Sequence, residues 1–244
     1  MDNIIITARY DGDKFDDMLG PSIKNIQTKC VNVSDKPDSV ESDKTISTKY
    51  NVGILTAIKN NLVSDDTIVI LCKSNVSISD PIAIPKLEYV FSTKPEIGII
   101  GVKGITKINE YVELYNIENN PLNGIVYNNI DPKKGEYVGT NTKGFFTDII
   151  AMDDSFIAIR GKVLHNIDKL FSISTNYGFG IEAVIKVLNT GYGSGIIDLF
   201  VISSEHTNIN IESISDICDK LNLTLPLSIE DLNISKNFIV DVEL

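Results

Sequence analysis

Compact apolar runs punctuate the first hundred residues of the chain. They stand at residues 4–7, 68–71 and 97–102, and polar turns bound each of them. Runs of this length are typical of strands that are covered on both faces of a sheet. The first run ends in a polar turn at residues 9–13, where we expect a binding loop to begin.

Helical periodicity fills the intervals between these runs. Residues 18–26 carry apolar side chains at approximate helical spacing, although Gly20 and Pro21 place a helix start or a break among them. The polar residues 36–49 predict a solvated loop. A second helix is predicted to face the core with Val52, Leu55, Ile58 and Leu62. Alternating strands and helices predict an α/β fold with a mostly parallel sheet, in which ligands bind beyond the carboxyl ends of the strands.

In the second half of the chain, acidic residues and a histidine stand at the ends of apolar elements. Asp153 and Asp154 precede a predicted strand at residues 156–160, and we expect this pair to face a cleft. Glu182 lies off the apolar stripe of a predicted helix, whose stripe is Ile181, Val184, Ile185 and Leu188. His206 follows an apolar run at residues 196–202, which predicts another strand.

Two regions are expected to stand apart from this pattern. Residues 105–147 are rich in Asn, Gly and Tyr and predict a hairpin or a mobile loop insertion. Residues 207–244 predict a helical extension, which packs either on the main domain, residues 1–206, or on a second subunit. A homo-oligomer is therefore an open alternative.

Composition narrows the function classes. The 244 residues carry 22 Lys and Arg against 33 Asp and Glu, a net charge of −11, so we do not expect a nucleic-acid partner. Three widely spaced cysteines predict neither a disulfide framework nor a structural zinc site. The chain has no signal-peptide pattern and no apolar run long enough to cross a bilayer, so we expect a soluble, cytoplasmic protein.

The order of these blocks resembles a glycosyltransferase of the GT-A fold, similar to family 2. The resemblance covers residues 3–206, and each block is short. Residues 152–160 are similar to the family pattern Leu-Asp-Gly-x-Phe-x-Ala-x-Arg, and residues 179–182 to the segment that supplies the catalytic acid. The resemblance implies a Rossmann-like, mostly parallel sheet flanked by helices. It also implies a nucleotide-sugar donor held by Tyr10, Asp11, Asp35, Asn51, Lys73, Asn75 and Arg160.

The chain departs from the family at the metal site. The family places Asp-x-Asp after the strand that here ends at Leu71, because a divalent cation neutralises the leaving diphosphate. This chain has Lys73, Ser74 and Asn75 instead. Mn²⁺ or Mg²⁺ would find one neutral oxygen on Asn75, together with His206, which is similar to the family's closing histidine. Weak metal binding, replacement of the metal's charge by Lys73 and loss of catalysis stay open.

The resemblance implies catalytic roles for three carboxylates, and each has a simpler alternative. Glu182 is the expected general base, or else half of a solvated i, i+4 pair with Lys186. Asp153 and Asp154 are expected to orient acceptor hydroxyls, or else to solvate a turn. His206 is expected to contact a cation or phosphate, or else to have a structural role.

The expected function is transfer of a sugar from a nucleotide-sugar donor to a hydroxyl of a glycan or another acceptor. Inversion at the anomeric carbon is expected, because the resemblance supplies a single positioned base. One alternative is a catalytically inactive binding or scaffold protein of the same fold. Another is an unrelated α/β nucleotide-binding domain.

Overall fold

A computed structural model describes most of the chain. The described residues are 1–10, 13–35, 44–108, 136–138, 145–204, 211–224, 227–229 and 232. Most of the predicted insertion at residues 105–147 lies outside these ranges.

Fourteen strands and six helices are assigned in the described residues. The strands are β1 (Asn3–Ala8), β2 (Lys29–Val33), β3 (Ile68–Cys72), β4 (Val76–Ile78), β5 (Ile97–Gly101), β6 (Gly104–Ile105), β7 (Lys107–Ile108), β8 (Glu136–Val138), β9 (Phe145–Thr147), β10 (Ala151–Met152), β11 (Phe156–Arg160), β12 (Gly193–Ile197), β13 (Val201–Ser203) and β14 (Leu227–Ser228). The helices are α1 (Leu19–Ile26), α2 (Ile46–Lys59), α3 (Ala83–Thr93), α4 (Gly161–His165), α5 (Phe179–Leu188) and α6 (Ile211–Lys220). The strands predicted at residues 4–7, 68–71, 97–102 and 156–160 are confirmed.

The central sheet has seven strands in the order β2-β1-β3-β11-β5-β12-β9. Strand β1 runs parallel to β2 and β3, and β12 runs parallel to β5. Strand β11 is antiparallel to both β3 and β5, so it joins two parallel groups that point the same way. Five strands therefore share one carboxyl edge, and the predicted α/β fold with a mostly parallel sheet is confirmed.

Helices cover both faces of this sheet. One apolar core lies between the sheet and α2, α4 and α5, and a second lies between the opposite face and α1 and α3. Strands β3 and β5 are buried along their whole length, because both of their faces carry helices.

The predicted stripe of helix α2 is only half confirmed: Ile58 and Leu62 pack against the core, but the first two residues of the stripe do not. Val52 and Leu55 are 49% and 46% exposed, whereas Tyr50, Ile54 and Ala57 lie in the core. The cause is a close approach at Gly53, where an added Cβ would lie 2.3 Å from Ile6 Cγ2. Small residues bring the helix onto the sheet, and this contact overrides the larger apolar stripe.

The strand predicted at residues 196–202 is two strands. Strand β12 begins earlier, within the glycine-rich turn, and β13 belongs to a separate three-stranded sheet with β4 and β8. Gly195 allows this early start, because an added Cβ would lie 2.3 Å from Phe145 Cζ on the neighbouring strand β9.

The described part of the C-terminal region packs on the main body. Ile217 and Cys218 of α6 and Leu227 of β14 lie in the core beneath α2 and α5. Strand β14 also pairs with β7. Among the described residues, no helix is both long and apolar enough to span a bilayer.

Candidate functional site

A pocket of about 280 Å³ opens at the carboxyl edge of the sheet, where β1 and β2 end and α2 begins. Seven residues line the pocket, and all but one of them are polar, charged or aromatic. They are Tyr10, Asp35, Lys44, Ile46, Lys49, Asn176 and Tyr177. The pocket therefore brings together two of the predicted donor-binding residues, Tyr10 and Asp35.

Lys49 is one of five residues of this pocket that the sequence did not predict to bind a ligand. It falls within residues 36–49, the expected solvated loop, but α2 begins at Ile46 and buries its side chain. Its Nζ lies 2.8 Å from Asp35 Oδ1 and donates to the Arg9 carbonyl at 2.7 Å. A charged pair in partly buried surroundings is screened less than one on the surface. This pair ties α2 to the ends of β1 and β2.

The loop that carries Tyr10 is held by a second ion pair. Arg9 Nε lies 2.6 Å from Asp13 Oδ2, and the Asp13 carboxylate also accepts the N–H groups of Tyr10 and Phe15. Burial acts to raise the pKa of Asp13, but these bonds and the Arg9 charge outweigh it, so the pKa lies below its ordinary value. Asp11, the neighbouring predicted donor residue, lies outside the described residues.

The segment after β3, where the family places Asp-x-Asp, is buried and polar. Lys73 is 3% exposed, and Ser74 and Asn75 are buried beside it. Within the described residues, neither the Lys73 ammonium nor the polar atoms of the Ser74 and Asn75 side chains have a hydrogen-bond partner. Buried polar groups are almost always paired, so an unpaired group of them is unusual.

Aromatic rings lie against the Lys73 ammonium. Its Nζ is 5.3 Å from the centre of the Tyr177 ring and 5.5 Å from that of Phe179. Such contacts contribute about 0.5–2 kcal/mol each, which is less than the several kcal/mol that burying an unpaired ammonium costs. Tyr177 also lines the pocket and is 44% exposed, so the same residue contacts both the Lys73 ammonium and the pocket.

Asp154 is buried and binds the start of α5. Its two carboxylate oxygens accept the N–H groups of Gly178 at 2.5 Å and Gly180 at 2.7 Å. Gly178 has a φ of 74°, a conformation that glycine adopts without strain. Burial raises the pKa of Asp154 to about 6, the Asp153 charge adds to this shift, and Lys73 and the two hydrogen bonds oppose it.

The Asp153 carboxylate is hydrogen-bonded to the nearby backbone. It is buried, and its Oδ1 accepts the Ser155 N–H at 2.8 Å. The expectation that Asp153 and Asp154 face an open cleft is therefore wrong: both side chains lie under other residues in this structure.

Glu182 is also buried, at 1% exposure, although the sequence placed it off the apolar stripe of α5. Its Oε1 accepts from the Ser172 N–H at 2.6 Å and from the Ser172 hydroxyl, and its Oε2 accepts the Ile173 N–H at 3.3 Å. This burial excludes the alternative of a solvated pair with Lys186. Glu182 instead anchors residues 172–173.

Residues 171–178, which we call the covering segment, are held along their length by α2 as well. Asn51 makes two hydrogen bonds to the Phe171 backbone, at 2.7 and 3.1 Å. The Ser47 hydroxyl donates to the Ile173 carbonyl and accepts the Thr175 N–H. The side chain of Asn51, predicted to bind a donor, is therefore committed to fixing the covering segment against α2.

Arg160 does not join the site. It ends β11 opposite Ile68, at the amino end of β3, and so lies at the other edge of the sheet from Lys73. Its guanidinium donates to the carbonyls of Phe91, Ile97 and Lys94 at and beyond the end of α3. Arg160 was expected to contact the donor, but it caps the C-terminal end of α3 instead. This end of a helix carries a partial negative charge that favours a cation.

The residues present do not fit a divalent metal. The described ranges hold no group of three or more His, Cys, Asp or Glu side chains arranged to bind an ion. At the expected position, Asn75 offers one neutral oxygen and Lys73 places a positive charge nearby. His206, the other expected metal ligand, lies outside the described residues.

No family model and no curated protein sequence matches this chain. Similar solved structures include A197 from STIV, with 12% identity over 82% of this chain and 84% of that one and a TM-score of 0.49. A 4-diphosphocytidyl-2C-methyl-D-erythritol synthase has 12% identity, covering 91% and 99% of the two chains, with a TM-score of 0.44.

Glucosyl-3-phosphoglycerate synthase from Mycobacterium tuberculosis, solved with Mn²⁺, UDP-glucose and phosphoglyceric acid, is a further similar structure. Its identity is 11%, its coverage is 91% of this chain and 80% of its own, and its TM-score is 0.47. At these values, none of the likenesses assigns an activity to this chain.

Proposed function

We propose that the pocket at the carboxyl edge binds the nucleotide of a nucleotide-sugar donor. The observation that carries this proposal is the convergence of Tyr10, Asp35 and Lys49 at the ends of β1, β2 and the start of α2. An aromatic ring stacks on a base and a carboxylate accepts from ribose hydroxyls, while Lys49 holds the Asp35 carboxylate in place. Open α/β sheets bind ligands at this edge.

Asp35 is the residue through which donor binding is tested. Its side chain is 32% exposed, so it can accept further hydrogen bonds beside the one from Lys49. Calorimetric titration with UDP, GDP, CDP and their sugar conjugates should detect binding by the unchanged protein. Asp35→Asn should weaken that binding by about tenfold to a hundredfold, because a hydrogen bond to a charged group is lost.

Asp66→Asn is the matched control, since Asp66 is an exposed carboxylate away from the pocket. It should bind nucleotide as the unchanged protein does. Absence of binding to every nucleotide, or equal affinity in the Asp35 variant, would contradict the proposal.

We further propose that the bound donor gives its sugar to an acceptor hydroxyl. The acceptor oxygen bonds to the anomeric carbon while the bond from that carbon to the diphosphate breaks, and a carboxylate takes the hydroxyl proton. Of the three carboxylates we assign this role to Asp154, which lies beneath the covering segment and binds the N–H groups of Gly178 and Gly180, so it can take the proton only when that segment has moved. Burial raises its pKa to about 6, close to a neutral working pH. Glu182 then serves as a positioning residue that holds the covering segment.

Asp154→Asn tests this assignment. Release of nucleoside diphosphate in the presence of acceptor should fall by roughly 10²- to 10⁴-fold while donor affinity is kept. In the unchanged protein, kcat should rise with pH through about 6, because a base acts only when deprotonated. Undiminished release in the variant would rule out Asp154 as the base.

The second candidate is a protein that binds the donor without turnover. The burial of Asp153, Asp154 and Glu182, each hydrogen-bonded to backbone N–H groups, favours it. The two candidates separate on one result. Tight nucleotide-sugar binding by the unchanged protein, with no release of nucleoside diphosphate over a range of hydroxyl acceptors, indicates a binding protein.

A further inference from the structure

Unpaired polar groups gather beneath the covering segment, on the α2 side of the carboxyl edge. Lys73 Nζ and the Tyr50 hydroxyl are both buried without a hydrogen-bond partner among the described residues. The Phe179 ring lies beside both residues: its centre is 5.5 Å from the Lys73 Nζ atom and 5.5 Å from the centre of the Tyr50 ring. Both can donate hydrogen bonds, so together they suit an anion.

The usual anion-binding groups at this edge are already committed. The N–H groups of Gly178 and Gly180, at the start of α5, are taken by the Asp154 carboxylate. At the start of α2, the Ile46 N–H donates to Asn176 and the Ser47 N–H to the Thr175 carbonyl. A phosphate therefore has to be bound by side chains here and not by a helix N-terminus.

Overall charge makes a local cation necessary. A chain of net charge −11 repels a diphosphate unless a positive group faces it. In the pocket, Lys49 already neutralises Asp35. Lys73 has no hydrogen-bond partner in the described part of the chain, and its charge interacts only at longer range with the buried Asp154 carboxyl group, whose pKa it lowers. It also stands at the position where the resemblance places a metal facing the diphosphate.

We propose that Lys73 binds the diphosphate of a nucleotide-linked ligand directly and replaces the charge of a divalent cation at this site. This rests on the proposed function for the identity of the ligand. Tyr177 covers the ammonium and is exposed on its other side, so its ring moves away when the diphosphate enters.

The test is calorimetric titration of the full chain with inorganic pyrophosphate, in EDTA and in MnCl₂. The unchanged protein should bind pyrophosphate equally in both buffers. Lys73→Met should weaken binding by about tenfold to a hundredfold. Lys59→Met, which removes an exposed lysine from the far end of α2, should leave the affinity unchanged.

A stability measurement separates binding from a structural role. Lys73→Met removes a buried ammonium that has no hydrogen-bond partner among the described residues, but it also removes a charge that stabilises the Asp154 carboxylate, so the melting temperature should change little. A clear fall in melting temperature with unchanged pyrophosphate affinity would show a structural role and contradict the proposal. If Lys73→Met fails to fold, Lys73→Gln, which keeps a polar side chain of similar reach, takes its place. The comparison of EDTA with MnCl₂ needs no variant at all.

Three outcomes overturn the proposal: binding that requires the metal, no pyrophosphate binding in either buffer, or unchanged affinity in both Lys73 variants. A parallel titration with UDP and GDP distinguishes the two levels of inference. Nucleoside diphosphate binding without a role for Lys73 leaves the proposed function standing, whereas no nucleotide binding at all removes the proposed function too.

Discussion

Among single residues, the buried carboxyl group of Asp154 makes the stability of the protein depend on pH. Asp154 has its ordinary pKa of 3.8 in the unfolded chain and about 6 in the folded protein. Between these two values the folded state binds more protons than the unfolded state, so this group lowers stability as pH rises from about 4 to about 6. The full effect is roughly 3 kcal/mol.

Asp154→Asn should remove this pH dependence. When the pH is lowered from about 7 to about 4, the unchanged protein should gain stability relative to the variant, as measured by the free energy of unfolding. Urea unfolding at a series of pH values measures it, and taking the difference cancels the contribution of other carboxylates. A difference that stays flat over this range would mean that the folded-state pKa of Asp154 is ordinary.

Substitution of Glu182 tests whether this residue, predicted to be catalytic, instead holds the covering segment in position. Glu182→Gln keeps the shape, but its single neutral amide oxygen cannot accept both the Ser172 and the Ile173 N–H groups as the carboxylate does, so the free energy of unfolding should fall by about 1–3 kcal/mol. The control is Glu96→Gln at an exposed carboxylate, with an expected change within about 0.5 kcal/mol. Full stability together with abolished turnover would instead favour Glu182 as the base.

At the scale of elements, the packing of α2 on the sheet depends on a missing side chain. Gly53→Ala improves helix propensity by about 1 kcal/mol, but the new Cβ would meet Ile6 Cγ2 and Val33 Cγ2 at 2.3 and 3.1 Å. Overpacking of a core costs about 1–3 kcal/mol, so we expect a net loss of stability.

Leu55→Ala on the exposed face of α2 is the comparison for Gly53→Ala. Thermal unfolding should show a change within about 0.5 kcal/mol for this variant, although a prediction from periodicity makes Leu55 a core residue. A large loss at Leu55 with none at Gly53 would contradict the observed face of the helix.

Elements with strong local signals could be predicted, and those set by tertiary contacts could not. Strands β3 and β5 are continuous apolar runs because both faces are covered, so their sequences identify them. The face of α2 depends on how closely Gly53 approaches Ile6, which no periodicity reports. The same limit applies to the strand predicted at residues 196–202, which divides between two sheets.

The same distinction between local signals and tertiary contacts applies to the candidate site. The resemblance to GT-A glycosyltransferases implies Tyr10 and Asp35, and the structure places both in one pocket because the carboxyl ends of β1 and β2 meet at one edge of the sheet. Lys49 was missed because its partner Asp35 is distant in sequence and its helix starts inside a polar stretch. The burial of Glu182 depends on residues 172–173, which reach it only in the folded chain.

In the whole molecule, the features proposed to bind the ligand lie at one edge of the central sheet. The pocket, the unpaired Lys73 and the covering segment all lie at that edge, and α2 and α5 hold the segment from two sides. The division into residues 1–206 and 207–244, the cytoplasmic location and a homo-oligomer stay predictions. Donor binding at this edge is the claim on which the proposed chemistry depends.

A crystal structure of the protein grown with UDP or GDP in the presence of EDTA tests that claim most directly. We expect density for the nucleoside between Tyr10 and Asp35, and density for the diphosphate within hydrogen-bonding distance of Lys73. The side chain of Tyr177 should be displaced. Nucleotide bound elsewhere, or a diphosphate pointing away from Lys73, would contradict it.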